Sequence, residues 1–309
     1  MENSSSIIVT DNNLQNQKST TTDLDEENIF IRKHAKLIFF GSLLIIIMLG
    51  ICLIVLTILF NDNDQKRFWI NQGLKYFSII LIQCFAALLV TKFEMKVNYT
   101  RKMVHIAYFI IPQILDRALL DFKKDVITEC WNVWVILILL LILAKPIRSR
   151  VKLINFMYKA VDRPEDKPYT LFWLASQTIA TLFVAIPFAI LFNSFKRMEW
   201  IFIPILINGL ADGLAEPVGI RFGKHKYQTK SCFSDRLYTR SYEGSLCVFL
   251  VSTIIILAFY NFFRTKEYIF NVLLIPICIT FTEAFAPHTW DSPFIFFVSS
   301  GLLSLSYII

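Results

Sequence analysis

The sequence predicts an all-α protein, a polytopic transmembrane helix bundle of about 8–9 spans. Apolar residues fill 55% of its 309 positions, and Phe alone accounts for 29 of them. Runs without charge recur along the chain, and the first, residues 37–60, is long enough to cross about 30 Å of hydrocarbon. The formal net charge of +7 gathers between these runs rather than within them, the distribution expected when loops face water and helices face lipid.

Residues 1–28 are rich in Ser, Thr, Asn and Gln and lack apolar periodicity, so they are expected to form a disordered cytosolic tail. Asp23, Asp25, Glu26 and Glu27, together with the lack of an early apolar core, separate this tail from secretory and organellar leaders. The run at 37–60 then reads as an uncleaved anchor. Residues 29–309 form the transmembrane domain, with the motif-bearing core at 101–291. The remaining spans are expected at 74–91, 103–120, 131–144, 170–192, 200–220, 244–263, 268–286 and 294–309. Two of them are atypical. Asp116 and Arg117 interrupt 103–120, while 131–144 is short and could begin near Val126, so each reads equally as re-entrant or interfacial. Neighbouring residues diverge around a helix, which leaves Arg117 a possible partner in Asp121. Between the fourth and fifth spans Ile147, Val151, Ile154, Tyr158 and Val161 recur at helical spacing beside Arg148, Lys152 and Lys159, the pattern of an interfacial amphipathic helix.

Basic residues assign the orientation. The tail and the loops at 92–102, 145–167 and 221–240 carry 21 Lys and Arg against 9 on the opposite side, which places the N-terminus and those loops in the cytosol. The basic residues belong to loops beside the membrane, and no nucleic-acid partner is expected. Six cysteines and four histidines are too scattered for a disulfide framework or a zinc cluster.

Three polar constellations then fall on one face of the membrane. Asn208, Asp212 and Glu216 recur every four residues in an apolar run, and a carboxylate at the centre of a spanning helix costs about 2.5–3.5 kcal/mol, so such residues mark binding or chemistry. Gly209 and Gly213 offer a different reading of the same segment, a close helix–helix contact glued by polar groups. Downstream lie Gly219, Arg221, Gly223, Lys224, His225, Lys226, Arg240, Ser241, Glu243, Gly244 and Ser245. Carboxylates beside a basic, glycine-containing loop suit a metal–nucleotide site, because Mg²⁺ takes a few carboxylates plus phosphate oxygens while glycine backbone and Lys or Arg receive the anion. A loop gripping anionic headgroups is the simpler alternative. Arg101, Lys102 and His105 form the second constellation at the entrance to the third span, where a snorkelling basic belt competes with a site. The third is Glu283, His288 and Asp291, bracketed by Pro287 and Pro293.

Together these segments, R-K-x-x-H at 101–105, D-G-x-A-E-P-x-G-x-R-F-G-K at 212–224, R-S-x-E-G-S at 240–245 and E-A-x-x-P-H-x-x-D at 283–291, resemble the polyprenol kinase family of dolichol kinases, phytol kinases and CTP-dependent diacylglycerol kinases. The resemblance implies a multi-pass kinase that moves the terminal phosphate of CTP to a lipid alcohol at the cytosolic surface, with a divalent metal, Mg²⁺ in the first instance. It implies that Asp212 and Glu216 serve the metal or the attacking hydroxyl, that His105, Glu283 and Asp291 complete the catalytic set, and that the loop from Gly219 to Lys226 with Arg240, Ser241, Glu243, Gly244 and Ser245 holds CTP beside Arg101 and Lys102. Many relatives carry Lys-Ser-x-Glu-Gly where this chain has Arg240-Ser241, and His288-Thr289-Trp290-Asp291 departs from the Asp-Asn pair of phytol kinases. The lipid alcohol is expected to be a polyprenol such as dolichol in the endoplasmic reticulum, with phytol and diacylglycerol as competitors. A phosphatidate cytidylyltransferase and a non-enzymatic anion or nucleotide transporter are the rival readings. The acidic and Arg/Lys-rich signature expected of the former near the C-terminus is missing, and no inverted repeat supports the latter.

Overall fold

A computed structural model describes residues 37, 39–59, 65–120, 126–230, 237–287 and 290–309. The expected tail at 1–28, Asp121 and His288 lie outside the described residues. The chain divides into two compact units, residues 1–55 and 56–309. Helix α1 (Phe39–Leu59) supplies the described part of the first and runs into the second. Its Leu and Ile side chains, among them Leu44, Ile45 and Ile58, are exposed.

The second unit is helical, with one small hairpin. Helices α2 (Gln65–Lys92), α3 (Val97–Leu120) and α4 (Val126–Ile142) are followed by the short α5 (Lys145–Arg148) and α6 (Lys152–Tyr158), then by α7 (Thr170–Ser194). The next span begins as a 3₁₀ turn, continues through α8 (Phe202–Leu206), passes through a π turn at Ile207–Asp212 and ends as α9 (Gly213–Phe222). Strands β1 (Lys226–Lys230) and β2 (Leu237–Ser241) pair antiparallel with Tyr227 opposite Arg240. Helices α10 (Tyr242–Ala258), α11 (Thr265–Phe285) and α12 (Asp291–Ser306) complete the chain.

Among the described residues five helices are long and apolar enough to cross a membrane: α1, α2, α7, the composite Met198–Phe222 and α11. Large apolar side chains such as Phe183, Ile190, Ile254 and Phe281 point outward and are exposed, a surface that suits a hydrocarbon surrounding better than water. The composite helix is the most buried of the five. Around it Trp200, Ile203, Ile207, Ile256, Ile275, Ile279 and Ile295 form the main core. Helix α3 packs on both α2 and α9, α10 on α9 and α11, and α12 on α11 and α7.

Three expectations change. Helix α2 begins nine residues before the expected span, at Gln65, and Lys75, one of the nine basic residues counted on the opposite side, is a buried helical residue. Its ammonium is sheltered by Asp116 and Asn132. The single amphipathic helix expected across 147–161 is broken at 149–151 into α5 and α6. Its apolar side turns into the bundle, where Gln83 donates to the Met157 carbonyl and Thr100 to that of Ala160, and Arg148 stacks 3.7 Å over the Tyr158 ring. The basic segment after α9 is in part a β-ribbon rather than an irregular loop.

Candidate functional site

Helix α3 approaches the π turn and α9 closely because both present glycine to it. A Cβ at Gly209 would stand 2.7 Å from Phe109 Cβ, and one at Gly213 would collide with Ile106. This is the small-residue contact expected from the sequence. The same contact also brings the ionic residues of the two helices together.

Lys102 Nζ donates to Asp212 Oδ1 at 2.8 Å, and both side chains are buried. His105 Nε2 lies 3.2 Å from Asp212 Oδ2 and 2.9 Å from the Asn208 carbonyl. A carbonyl only accepts, so Nε2 carries the proton and the ring is fixed between the two oxygens. One turn further, Glu216 is enclosed by Arg101 Nη2 at 2.7 Å, Asn98 Nδ2 at 2.8 Å and Arg163 Nη1 at 3.3 Å. Arg163 is itself buried and clamps Asp166 at 2.7 Å. The π turn underlies this division. Its wider winding turns fewer degrees per residue than an α-helix, and such turns are frequent at functional sites. Asn208, Asp212 and Glu216 therefore do not form one straight stripe: Asn208 Nδ2 turns back to the Pro204 carbonyl, while its buried Oδ1 accepts no hydrogen bond among the described residues.

The hairpin makes a second cluster. Arg240 pairs with Glu283 on α11 and reaches the Ala286 carbonyl at 3.4 Å. Burial alone opposes the Arg240 charge, yet Glu283, and after it Asp291, Tyr227 and Asp212, hold its pKa above the ordinary value. The hairpin cluster thus lies within electrostatic reach of the α3–α9 cluster. Tyr227 Oη and Ser245 Oγ share a hydrogen bond of 2.8 Å, and burial first, with Glu283, pushes the Tyr227 phenol up. Ser241 Oγ accepts from Gly244 N at 3.1 Å and so caps α10. Glu243 accepts from the Lys224 and His225 backbone N–H groups at 3.0 and 3.2 Å. Arg221, Lys224 and Lys226 are exposed.

The glycines expected to cradle phosphate also have packing roles. A Cβ at Gly219 would stand 2.7 Å from Ser241 Oγ, one at Gly244 2.9 Å from the Ala215 carbonyl, and one at Gly223 would collide with the Gly219 carbonyl. They let β2 and the start of α10 lie against α9. Asp291 accepts from Gln177 Nε2 of α7 at 3.1 Å and from the Ser292 N–H at 3.0 Å.

Arg101, Lys102, His105, Asp212 and Asp291 line one end of a cavity of about 310 Å³ that continues between α2, α3, α4 and α7 along an apolar wall including Ile79, Val135, Leu139 and Leu182. Glu216 does not line it. Asn98, Arg163 and Gln177 were not singled out from the sequence. Only Gln177 had a signal there, as an amide within an apolar span.

Among the described residues no three His, Cys, Asp or Glu side chains converge as a metal cage. Glu216, expected beside Asp212 as a metal ligand, has both oxygens engaged by other donors. Asp212, whose oxygens meet Lys102 and His105, is the carboxylate of the two that lines the cavity, and an ion held there would keep most of its shell for water and phosphate. Compared with protein-family models, with curated proteins and with solved structures, the chain matches none.

Proposed function

We propose that the protein is a CTP-dependent kinase of a membrane lipid alcohol, as the resemblance to polyprenol kinases implies. The observation that carries this reading is the cavity, which joins a cluster of Arg101, Lys102, His105, Asp212 and Asp291 to an apolar chamber among the helices. A polar mouth on an apolar body suits an amphiphile whose hydroxyl must meet a polyphosphate.

Phosphoryl transfer asks the protein mainly for positioning and charge neutralisation. Arg101 and Lys102 bring two cations to the mouth, and the exposed Lys224, Lys226 and Arg221 supply further positive charge along the hairpin approach. Asp212, on the cavity wall, would hold the Mg²⁺, which would supply charge neutralisation for the phosphates. His105 is oriented by the Asn208 carbonyl and presents Nε2–H to Asp212. The acceptor oxygen forms the new bond to the γ-phosphorus, the bond from that phosphorus to the bridging oxygen breaks, and CDP leaves. The hydroxyl proton passes to a carboxylate lining the chamber, Asp212 or Asp291; Glu216, outside the chamber wall, instead positions Arg101 and Arg163. A polyprenol such as dolichol is the acceptor first to be tried, in the endoplasmic reticulum with the site facing the cytosol.

The test uses the full chain in proteoliposomes with dolichol, phytol and diacylglycerol, and CTP labelled in either the α- or the γ-phosphate. Label from the γ position in lipid is expected. Label from the α position would make the protein a cytidylyltransferase, and label from neither a binder or transporter.

A further inference from the structure

The chamber ends at a second polar cluster that phosphoryl transfer does not use. Asp116 of α3 accepts from Lys75 Nζ at 2.5 Å, from Asn71 Nδ2 at 2.6 Å and from Asn132 Nδ2 at 3.3 Å, and Lys75 Nζ also donates to Asn132 Oδ1 at 2.8 Å. Lys75 and Asn71 are fully buried. Lys75, Asn132 and Gln113 line the chamber, and Gln113 Oε1 is buried without a hydrogen-bond partner among the described residues. Gln113 follows Lys102 by eleven residues on α3, which at the helical rise separates the two polar ends by about 16 Å. The wall between them is apolar, with Ile79, Val135 and Leu139 among its side chains.

A hydrocarbon terminus is a poor match for such an end. It would lie against an ion pair and two amides, and it would leave Gln113 Oε1 unsatisfied in a water-poor space. A hydroxyl at that depth can donate to Gln113 Oε1 and accept from an amide N–H of the same cluster.

We propose that the far end of the chamber is a second polar subsite, which receives a hydroxyl carried on the chain of the acceptor about 16 Å from the hydroxyl at the Asp212 end. The substrate class favoured is therefore a two-headed amphiphile, a lipid alcohol bearing a second hydrogen-bonding group; the polyprenol named above as first to be tried lacks that group and is expected to be the poorer acceptor. This inference rests on reading the chamber as the acceptor site. It does not depend on which phosphate of CTP is transferred.

The experiment compares binding of dodecanediol, with hydroxyls at both ends, and of dodecanol to the full-length protein in nanodiscs by titration calorimetry without nucleotide. The wild type is expected to bind the diol about tenfold more tightly, the size of one added buried hydrogen bond. Gln113→Leu is expected to bring the ratio close to one, by weakening the diol and by lifting the cost that an unsatisfied Gln113 Oε1 imposes on dodecanol. Equal affinity for the two alcohols in the wild type would overturn the proposal, with an ordered water satisfying Gln113 instead. That ratio decides the matter even where Gln113→Leu fails to fold. A diol preference in a protein that transfers no phosphate would leave the subsite standing and end the kinase reading; phosphate transfer with no diol preference would do the reverse.

Discussion

Buried carboxylates in this chain stand beside cations, and the partners decide what each carboxylate can do. Asp212 meets one ammonium and one imidazole at the chamber mouth, whereas Glu216 is held by two guanidiniums and an amide away from it. Removing one member of such a pair is costly because its partner stays buried and charged. Arg163→Met leaves Asp166 without its close partner and Glu216 with one guanidinium fewer, and it is expected to destabilise the protein by about 3 kcal/mol, read as a lowered Tm in detergent. An unchanged Tm would show that Arg163 contributes no net stability. Asp212, Glu216, Arg101 and Lys102 were legible in the sequence because charge inside or at the edge of an apolar run is expensive and therefore noticeable. Arg163 was not, since it lies in a polar linker where an arginine excites no interest, and only the folding of 160–166 back against α3 brings it to Glu216.

At the scale of elements, the contact between α3 and α9 both packs the bundle and assembles the site. Gly213→Ala places a methyl against Ile106 and is expected to cost about 1–3 kcal/mol, with loss of transfer activity as α3 shifts away from Asp212. Ile106→Ala in the same chain makes room and should restore most of the Tm. A double variant as unstable as the single one would place the strain elsewhere. The glycine spacing that predicts this contact was visible as Gly209-x-x-x-Gly213. The π turn that contains Gly209 and ends just before Gly213 was not, because an extra residue in a helical turn leaves no mark on apolar periodicity over six residues. Nor was the hairpin recognised. Its Tyr227, Thr229 and Thr239 are good strand residues, but the lysines and arginines among them suggested a solvated loop. The start of α2 was misplaced for a related reason: Asn71 and Lys75 look like loop residues until the bundle gives them buried partners.

For the whole molecule, the expected topology makes the 17-residue apolar helix α10 a crossing that would separate the exposed Lys224 from the exposed Arg264. With cysteine placed at 224 or at 264, a membrane-impermeant maleimide applied to sealed vesicles is expected to modify one variant from outside and the other only after permeabilisation. Modification of both from the same side would remove α10 as a span and with it the shared face of the three motifs. The all-α class was readable from composition alone, since a chain this apolar must satisfy its backbone within helices or a closed barrel and its runs have helical length. Which helices enclose a cavity was not, because the chamber is a property of how α2, α3, α4 and α7 diverge and not of any one of them.

The account turns on Asp212, buried against Lys102 at the mouth of that chamber. Its direct measurement is single-turnover transfer of γ-phosphate from CTP to lipid alcohol by Asp212→Asn in purified, reconstituted and correctly folded protein, beside the wild type. Transfer is expected to fall by about 100-fold or more, as when a group acting on transition-state charge is removed. Turnover equal to the wild type would contradict the account.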